Sequence, residues 1–416
     1  MKTLILSNTP FHQSDSNGRI LGLLLQCINN ENKLQLCING TSVSSSMITN
    51  CYLISDKTVL KNLFCFKIKA TKLPVDMNID SRIRKTKRIK RTAKSLLLRD
   101  LIWKACLART EFLDLAVQFQ PDVVLWQYGD SGFMADLARI ITDKCGAKLV
   151  IYTTEDYCFK TWDYLEKKNK TFFYTLFSHE MRLADKQAFD KASLCIANTP
   201  QLAKKFQDAF GCKVETIMNS SVIDKEEREE SQEHIENRIV YAGNLGINRH
   251  LSIIKIAEAL RSVAPNIIFE IYGQPNKIVA NELKDVQNIK LMGFKSYHEI
   301  QNIIKQSLLV IHTESFEEFY RYDLESAFSS KITDALKSGT PLFMYAPENL
   351  AETDYLIQNK CAFVCTEKQY LEDTLRKALF DKTKRHIVIS NGIEIVYKNH
   401  DAQKNSRYML ELLQSV

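Results

Sequence analysis

The feature that most restricts the fold is an alternation of short apolar runs with helical segments, run through twice along the chain. In the first half, strand-like runs fall at 2–7, 34–38, 123–126, 149–152 and 194–197. A helix is expected from Gly18 to about Ile28, and further helical segments span 96–119 and 132–144. The aromatic and basic stretch 156–190 reads as helices that decorate this half. After a polar, charge-dense interval the pattern restarts, with strands at 238–241, 267–272, 289–291, 308–312 and 341–345 and helices at 251–263, 297–305 and 331–338. Strand, helix, strand in repetition is the signature of a parallel sheet covered by helices on both faces. The expected class is therefore α/β, with two Rossmann-like, doubly wound parallel-sheet domains facing a cleft. The boundaries read as a first domain over 1–222, an exposed linker over 223–237, a second domain over 238–398 and a terminal helical segment over 399–416.

Composition removes other classes. With 416 residues, 45% hydrophobic and 25% charged, the chain is long enough for two or three buried cores, and disorder is excluded. No apolar run approaches the roughly 18 residues that span a bilayer, and the start lacks a secretory signal, so a cytoplasmic location is expected. Eleven cysteines sit in contexts such as Leu36-Cys37-Ile38 and read as reduced core thiols; Cys361 and Cys365 lack a second pair at zinc spacing. No metal site is expected.

The formal net charge of +7 is concentrated in 81–99, where Arg82, Arg84, Lys85, Lys87, Arg88, Lys90, Arg91, Lys94 and Arg99 occur without an acid. Ile89, Ala93, Leu96 and Leu97 recur at helical spacing, so a basic amphipathic helix is expected there, either solvated or laid on anionic lipid at the inner face of a membrane. No nucleic-acid recognition motif accompanies the charge, and no nucleic-acid partner is expected.

Two loops carry the chemistry. Ile239 to Ala242 runs into Gly243-Asn244-Leu245-Gly246-Ile247-Asn248-Arg249, a strand, a glycine loop and a helix start. Free backbone N–H groups there suit a phosphate, and Arg249 adds a fork of donors. In the second, Ser329-Ser330-Lys331 opens a helix that closes at Gly339-Thr340-Pro341. A lysine in a first helical turn opposes the macrodipole unless an anion is bound beside it. Asp334, three residues on, shares that face and suits ribose hydroxyls.

Together with Tyr345-Ala346-Pro347, these loops resemble the donor-binding domain of bacterial GT-B glycosyltransferases of the retaining group 1, family 4 type. In the first half, Leu6 to Pro10, Asn17-Gly18-Arg19 and Tyr152 to Tyr157 resemble that family's cleft-facing loops. The resemblance implies a metal-independent enzyme that moves a sugar, with retention, from a nucleotide diphosphate sugar of UDP or GDP type to a glycan or lipid-linked acceptor, as in capsule or lipopolysaccharide assembly. It implies no further cofactor. The first domain would hold the acceptor and the second the donor, with the last helix crossing back to the first. By position, Arg249 matches the diphosphate cation, Lys331 the phosphate end of the following helix and Asp334 the ribose carboxylate. Gly243, Asn244 and Ser330 complete the donor loops, while Gly293 and Phe294 fall at the nucleobase, Tyr272 and Gly273 at the preceding strand end, and Gly18 near the phosphates.

The sequence departs from the family at two places. Asn244 stands where many members have Arg, and the first carboxylate of a spaced glutamate pair falls on Ser326, with Glu314, Glu317 and Glu325 as nearby substitutes. Glu155 and Asp156, at a strand end, are the candidate catalytic carboxylates beside Arg249 and Lys331, or else complement a helix dipole. Absence of any Asp-x-Asp counts against a GT-A site. His12 could meet the donor, whereas His179, His250, His298 and His312 read as surface or packing residues. Trp126, Tyr128, Trp162, Phe172, Phe173 and Tyr174 could line an acceptor groove or pack in the core. Two further readings remain: a GT-B sugar-nucleotide epimerase, and a catalytically silent protein that binds a sugar nucleotide or a membrane surface.

Overall fold

The structure is a computed structural model that describes all residues except 13–14, 45, 77–90, 167–168 and 224–235. The chain divides into two units, Met1–Met218 with Gln403–Val416, and Asn219–Ala402. Most of the expected linker, 223–237, falls outside the described residues.

In unit 1 the strand Thr3–Ser7 is buried at all five positions, as a parallel strand covered on both faces must be. It lies centrally in an eight-stranded sheet ordered Val214–Thr216, Leu194–Ala197, Lys148–Thr153, Val123–Gln127, Thr3–Ser7, Lys33–Cys37, Cys51–Leu53, Thr71–Lys72. All pairings are parallel except the last. Leu4 and Leu6 face one apolar core and Ile5 the other. That second core is completed by Met409, Leu412 and Leu413 of the last helix, Ala402–Gln414.

Unit 2 has six parallel strands, ordered Ile289–Gly293, Ile268–Tyr272, Glu236–Ala242, Ser307–Thr313, Leu342–Tyr345, Phe363–Cys365. Numbered along this unit, the order is 3-2-1-4-5-6, the doubly wound order of dinucleotide-binding sheets. Its direction of winding reverses between Glu236–Ala242 and Ser307–Thr313, and ligands of such sheets bind where the loops leave those strands. The chain enters and leaves this unit side by side. Ser221 and Asp401 form a parallel bridge, and the His400 imidazole donates from Nδ1 to the Asn219 carbonyl at 2.7 Å. The Tyr355 hydroxyl occupies its Nε2 at 2.8 Å, and burial drives the His400 pKa down to about 4.

Several helices differ from expectation. The segment expected as one helix over 96–119 breaks at a short 3₁₀ turn, Leu107–Arg109, into Ala93–Cys106 and Glu111–Phe119, because Thr110 is extended and its hydroxyl bonds the Leu107 carbonyl. Of the basic helix expected over 81–99, residues 81–90 fall outside the described residues; Arg91 precedes a helix that starts at Ala93, where Thr92 and Ser95 form a capping box. The first helix ends at Leu24 rather than Ile28. Of the eleven free cysteines, Cys27 and Cys65 are exposed rather than core. Among the described residues no helix is long and apolar enough to cross a membrane.

Candidate active site

At the winding reversal of unit 2 the strand ends are laced together by backbone. Gly243 N–H donates to the Tyr272 carbonyl at 2.9 Å, and Gly273 N–H to the Gly293 carbonyl at 2.9 Å. A Cβ at Gly273 would overlap the Gly243 carbonyl oxygen, so this approach requires glycine. Beyond it, the Asn244 side chain accepts from Gly246 N–H at 2.8 Å, and the Tyr241 hydroxyl donates to the Asn244 carbonyl at 2.8 Å. The next two residues, Ile247 (φ 53°) and Asn248 (φ 59°), are both left-handed. For a β-branched residue that conformation costs roughly 1–3 kcal/mol, the kind of strain that clusters at ligand loops. The helix Arg249–Val263 then starts without a side-chain cap, the Arg249 and Leu251 N–H groups donating to the Gly246 and Asn248 carbonyls at 3.3 and 3.1 Å.

Arg249, its first residue, is clamped along one edge: Nε and Nη2 donate to the two oxygens of Glu314 at 2.7 and 2.9 Å. Glu314 follows the strand Ser307–Thr313 across the reversal and is fixed by Ser252, whose hydroxyl bonds its carbonyl, and by its own N–H to Tyr345. Burial by itself would raise the Glu314 carboxyl, but Arg249 and His312 outweigh it and hold it low. Glu314, one of the three carboxylates noted near Ser326, works here to orient an arginine. Lys331, in the first turn of the helix Ser330–Lys337, approaches from the other side: a Cβ on Gly243 would lie 3.1 Å from its Cε. Its side chain retains accessible surface, yet protein crowds the ammonium, and that desolvation followed by the nearby Arg249 charge lowers its pKa. Two cations therefore converge on a glycine floor at a helix start, an arrangement that binds diphosphates.

The helix is capped by Ser329 rather than Ser330, which occupies its first turn. Asp334 is buried, with Oδ1 accepting from the Tyr297 hydroxyl at 2.7 Å and the Ser221 hydroxyl at 3.2 Å. Tyr272 turns its phenol onto Glu270 at 2.6 Å, so only its backbone reaches the strand end. Gly293 has φ +74°, and Phe294 beside it is half exposed.

The remaining candidates lie in unit 1. Gly18 opens its first helix, where an added Cβ would sit 2.5 Å from the Pro10 carbonyl oxygen. Glu155 is partly buried at the end of Lys148–Thr153, its backbone N–H donating to Thr153 Oγ1 at 3.3 Å. Asp156 departs from the expected catalytic role: it is buried between Lys160 Nζ at 2.6 Å and Lys205 Nζ at 3.3 Å, a closed ion cluster. His12 is buried, 3.8 Å from Asp76. Trp126, Tyr128 and Tyr174 are core residues and Trp162 is buried, whereas Phe172 is 77% exposed. His312, read as packing, instead joins the charged cluster with Glu352, a residue no local motif singles out. The ligand atoms of His312, Glu314 and Glu352 lie within 4.8 Å of one another, close enough for a cation, but Arg249 already takes both Glu314 oxygens.

Two doubly wound units with a cationic loop at the second reversal define the GT-B class. Residues 223–395 match the family described as Glycosyl transferases group 1, and that domain supports a transferase activity. Among solved structures, HepE from Anabaena in complex with UDP-glucose is similar over 100% of both chains (TM-score 0.61, 16% identity). Sucrose-phosphate synthase from Thermosynechococcus elongatus covers 100% of this chain and 99% of its own (TM-score 0.65, 9% identity). WaaG, a glycosyltransferase involved in lipopolysaccharide biosynthesis, covers 98% and 99% (TM-score 0.56, 13% identity). No curated protein sequence matches the chain.

Proposed function

We propose that this enzyme is a retaining, metal-independent glycosyltransferase that moves a sugar from a UDP or GDP sugar to a glycan or lipid-linked acceptor in surface polysaccharide assembly. The observation that carries the donor half is the convergence of Arg249, Lys331 and the Gly243 loop. Cleavage of the sugar–phosphate bond leaves charge on the diphosphate, and fixed cations with loop N–H groups stabilise it as it develops. Arg249 is clamped through Nε and Nη2, so Nη1 is the edge it offers to phosphate, while Lys331 serves the same anion. Asp334, which already accepts from hydroxyls, serves the donor ribose, and Phe294 the nucleobase. Glu155 remains the acceptor-side carboxylate, without Asp156. The HepE complexes with UDP and UDP-glucose support the choice of donor, and WaaG supports the class of pathway.

We propose further that the enzyme works at the cytoplasmic face of the membrane, as a peripheral protein. Helix Ala93–Cys106 exposes Leu98 and Leu101, helix Phe172–Lys191 exposes Phe172, Phe173 and Leu176, and Lys94 lies 5.6 Å from the Phe173 ring centroid. Apolar side chains beside cations suit an anionic headgroup layer.

The test is incubation of the purified protein with UDP-glucose and GDP-mannose, with and without EDTA, and a lipid-linked glycan extract as acceptor. The expected result is acceptor-dependent release of one nucleotide diphosphate that EDTA leaves unchanged, with an anomeric proton signal in the product that matches the donor configuration. Release that stops with EDTA, or an inverted product, overturns the mechanism. Donor conversion without acceptor favours the epimerase.

A further inference from the structure

Behind the two cations a line of charge runs into the core of unit 2. Glu314, clamped on Arg249, lies 3.5 Å from His312 Nε2 through Oε1, and the same nitrogen lies 3.2 Å from Glu352 Oε1. The second Glu352 oxygen accepts from the Ser329 N–H at 3.3 Å, at the cap of the helix that carries Lys331. Both carboxylates and the imidazole are buried. We propose that His312 and Glu352 are positioning residues for the donor diphosphate: His312 bridges Glu314 and Glu352, setting Glu314 for Arg249 and tying Glu352 to the helix start beneath Lys331. This rests on the reading of Arg249 and Lys331 as the diphosphate cations.

The argument is one of charge balance. Two buried carboxylates this close repel unless a cation lies between them, and a buried carboxylate without one takes up a proton. Burial by itself would lower the His312 pKa, but Glu352 and Glu314 outweigh it and raise it to about 9, so the imidazole is charged at neutral pH. Glu314 and Glu352 face it directly, and both carboxylates are also neighboured by Arg249, Lys331 and the Tyr241 phenol, which burial keeps protonated. Within that group Arg249, Lys331 and His312 exceed Glu314 and Glu352 by one; Asp334, beside Lys331, has Lys337 at 3.9 Å. That surplus is what an incoming diphosphate meets, and loss of the His312 proton cancels it.

The test is UDP binding by calorimetry, with GDP as the second probe, between pH 6.5 and 9.5, on the wild type, His312→Gln, Glu352→Gln and the double variant. The wild-type affinity is expected to fall as pH rises toward 9.5. Each single variant weakens binding at neutral pH on the order of tenfold, because each breaks the Glu314–His312–Glu352 line, and the double variant, which breaks the same line, loses no more than about threefold beyond either single variant. Near-UV circular dichroism checks each fold; if His312→Gln unfolds, a tenfold loss in Glu352→Gln alone supports the proposal. Losses that add in the double variant, or wild-type affinity in Glu352→Gln, overturn it while the donor site stands. A wild type that binds neither nucleotide overturns the donor site and the positioning roles together.

Discussion

The two units share a layered sheet with a reversal of winding, yet the groups at their strand ends balance charge differently. In unit 1 the reversal lies between Thr3–Ser7 and Val123–Gln127, where a Cβ on Gly129 would press against Asn8. The charges next to it are closed on themselves: Asp130 pairs with Arg91 and accepts from Tyr164 at 2.9 Å, and Asp156 is held by two lysines. Asp100 accepts from Gly132 N–H at 3.0 Å, and its burial raises its pKa to about 7. Unit 2 instead leaves cations in excess beside a strained loop. The same scaffold thus supplies the place in both halves, and only the surplus charge marks one of them for an anion.

The largest break of this comparison is removal of residues 402–416. It takes Met409, Leu412 and Leu413 out of the unit 1 core, at roughly 1.5–3 kcal/mol for each side chain. Differential scanning calorimetry should show one transition lost or strongly lowered and a second kept; two unchanged transitions would remove the last helix from that core. Next in size, Arg249→Ala should weaken UDP binding on the order of 100-fold, whereas Asp156→Asn should leave it within about twofold but destabilise the protein by roughly 3 kcal/mol, because the buried Lys160 loses the carboxylate charge 2.6 Å away. Equal binding losses in both variants would erase the distinction between the units.

Acid should then pull the units apart. The folded pKa of His400 lies below its ordinary value of 6.5, so its contribution is present above pH 6.5 and lost as pH falls toward about 4, roughly 3 kcal/mol in all. Asp100 has the opposite sign: its folded pKa lies above the ordinary 3.8, so its contribution is present below pH 3.8 and lost as pH rises through about 7. Titration from pH 7 to 4.5 should lower the unit 2 transition and support that of unit 1, and His400→Asn should flatten the first slope. The smallest change in stability, within about 0.5 kcal/mol, is expected for Leu98→Ser with Phe172→Ser. That variant should nevertheless lose adsorption to phosphatidylglycerol vesicles; sedimentation equal to wild type would sharpen the comparison by returning both residues to ordinary surface.

What the sequence made legible follows its local signals. The central strands of both sheets are visible as short apolar runs, whereas the short edge strands Cys51–Leu53, Thr71–Lys72 and Val214–Thr216 were not expected; Gly243, Arg249 and Lys331 stand out because a loop motif and a misplaced lysine are each contained within a few residues. His312 and Glu352 are 40 positions apart and meet only through the sheet, as do Asp156 and Lys205 at 49. No spacing rule reaches that far. The break at Thr110 escaped because apolar periodicity continues through it, and Phe172 and Phe173 were read as lining or core because exposure of a helix face is decided by what packs on the other side.

The adjacent entry and exit of unit 2 at Ser221 and Asp401 also set the order in which the two halves mature. A domain whose ends touch is laid out as an insertion, one unbroken stretch of chain from Asn219 to Ala402. Its host is in two pieces. During synthesis the inserted half has all its residues before the host receives Met409, Leu412 and Leu413, so the inserted half can close its core while the other still waits for its final helix.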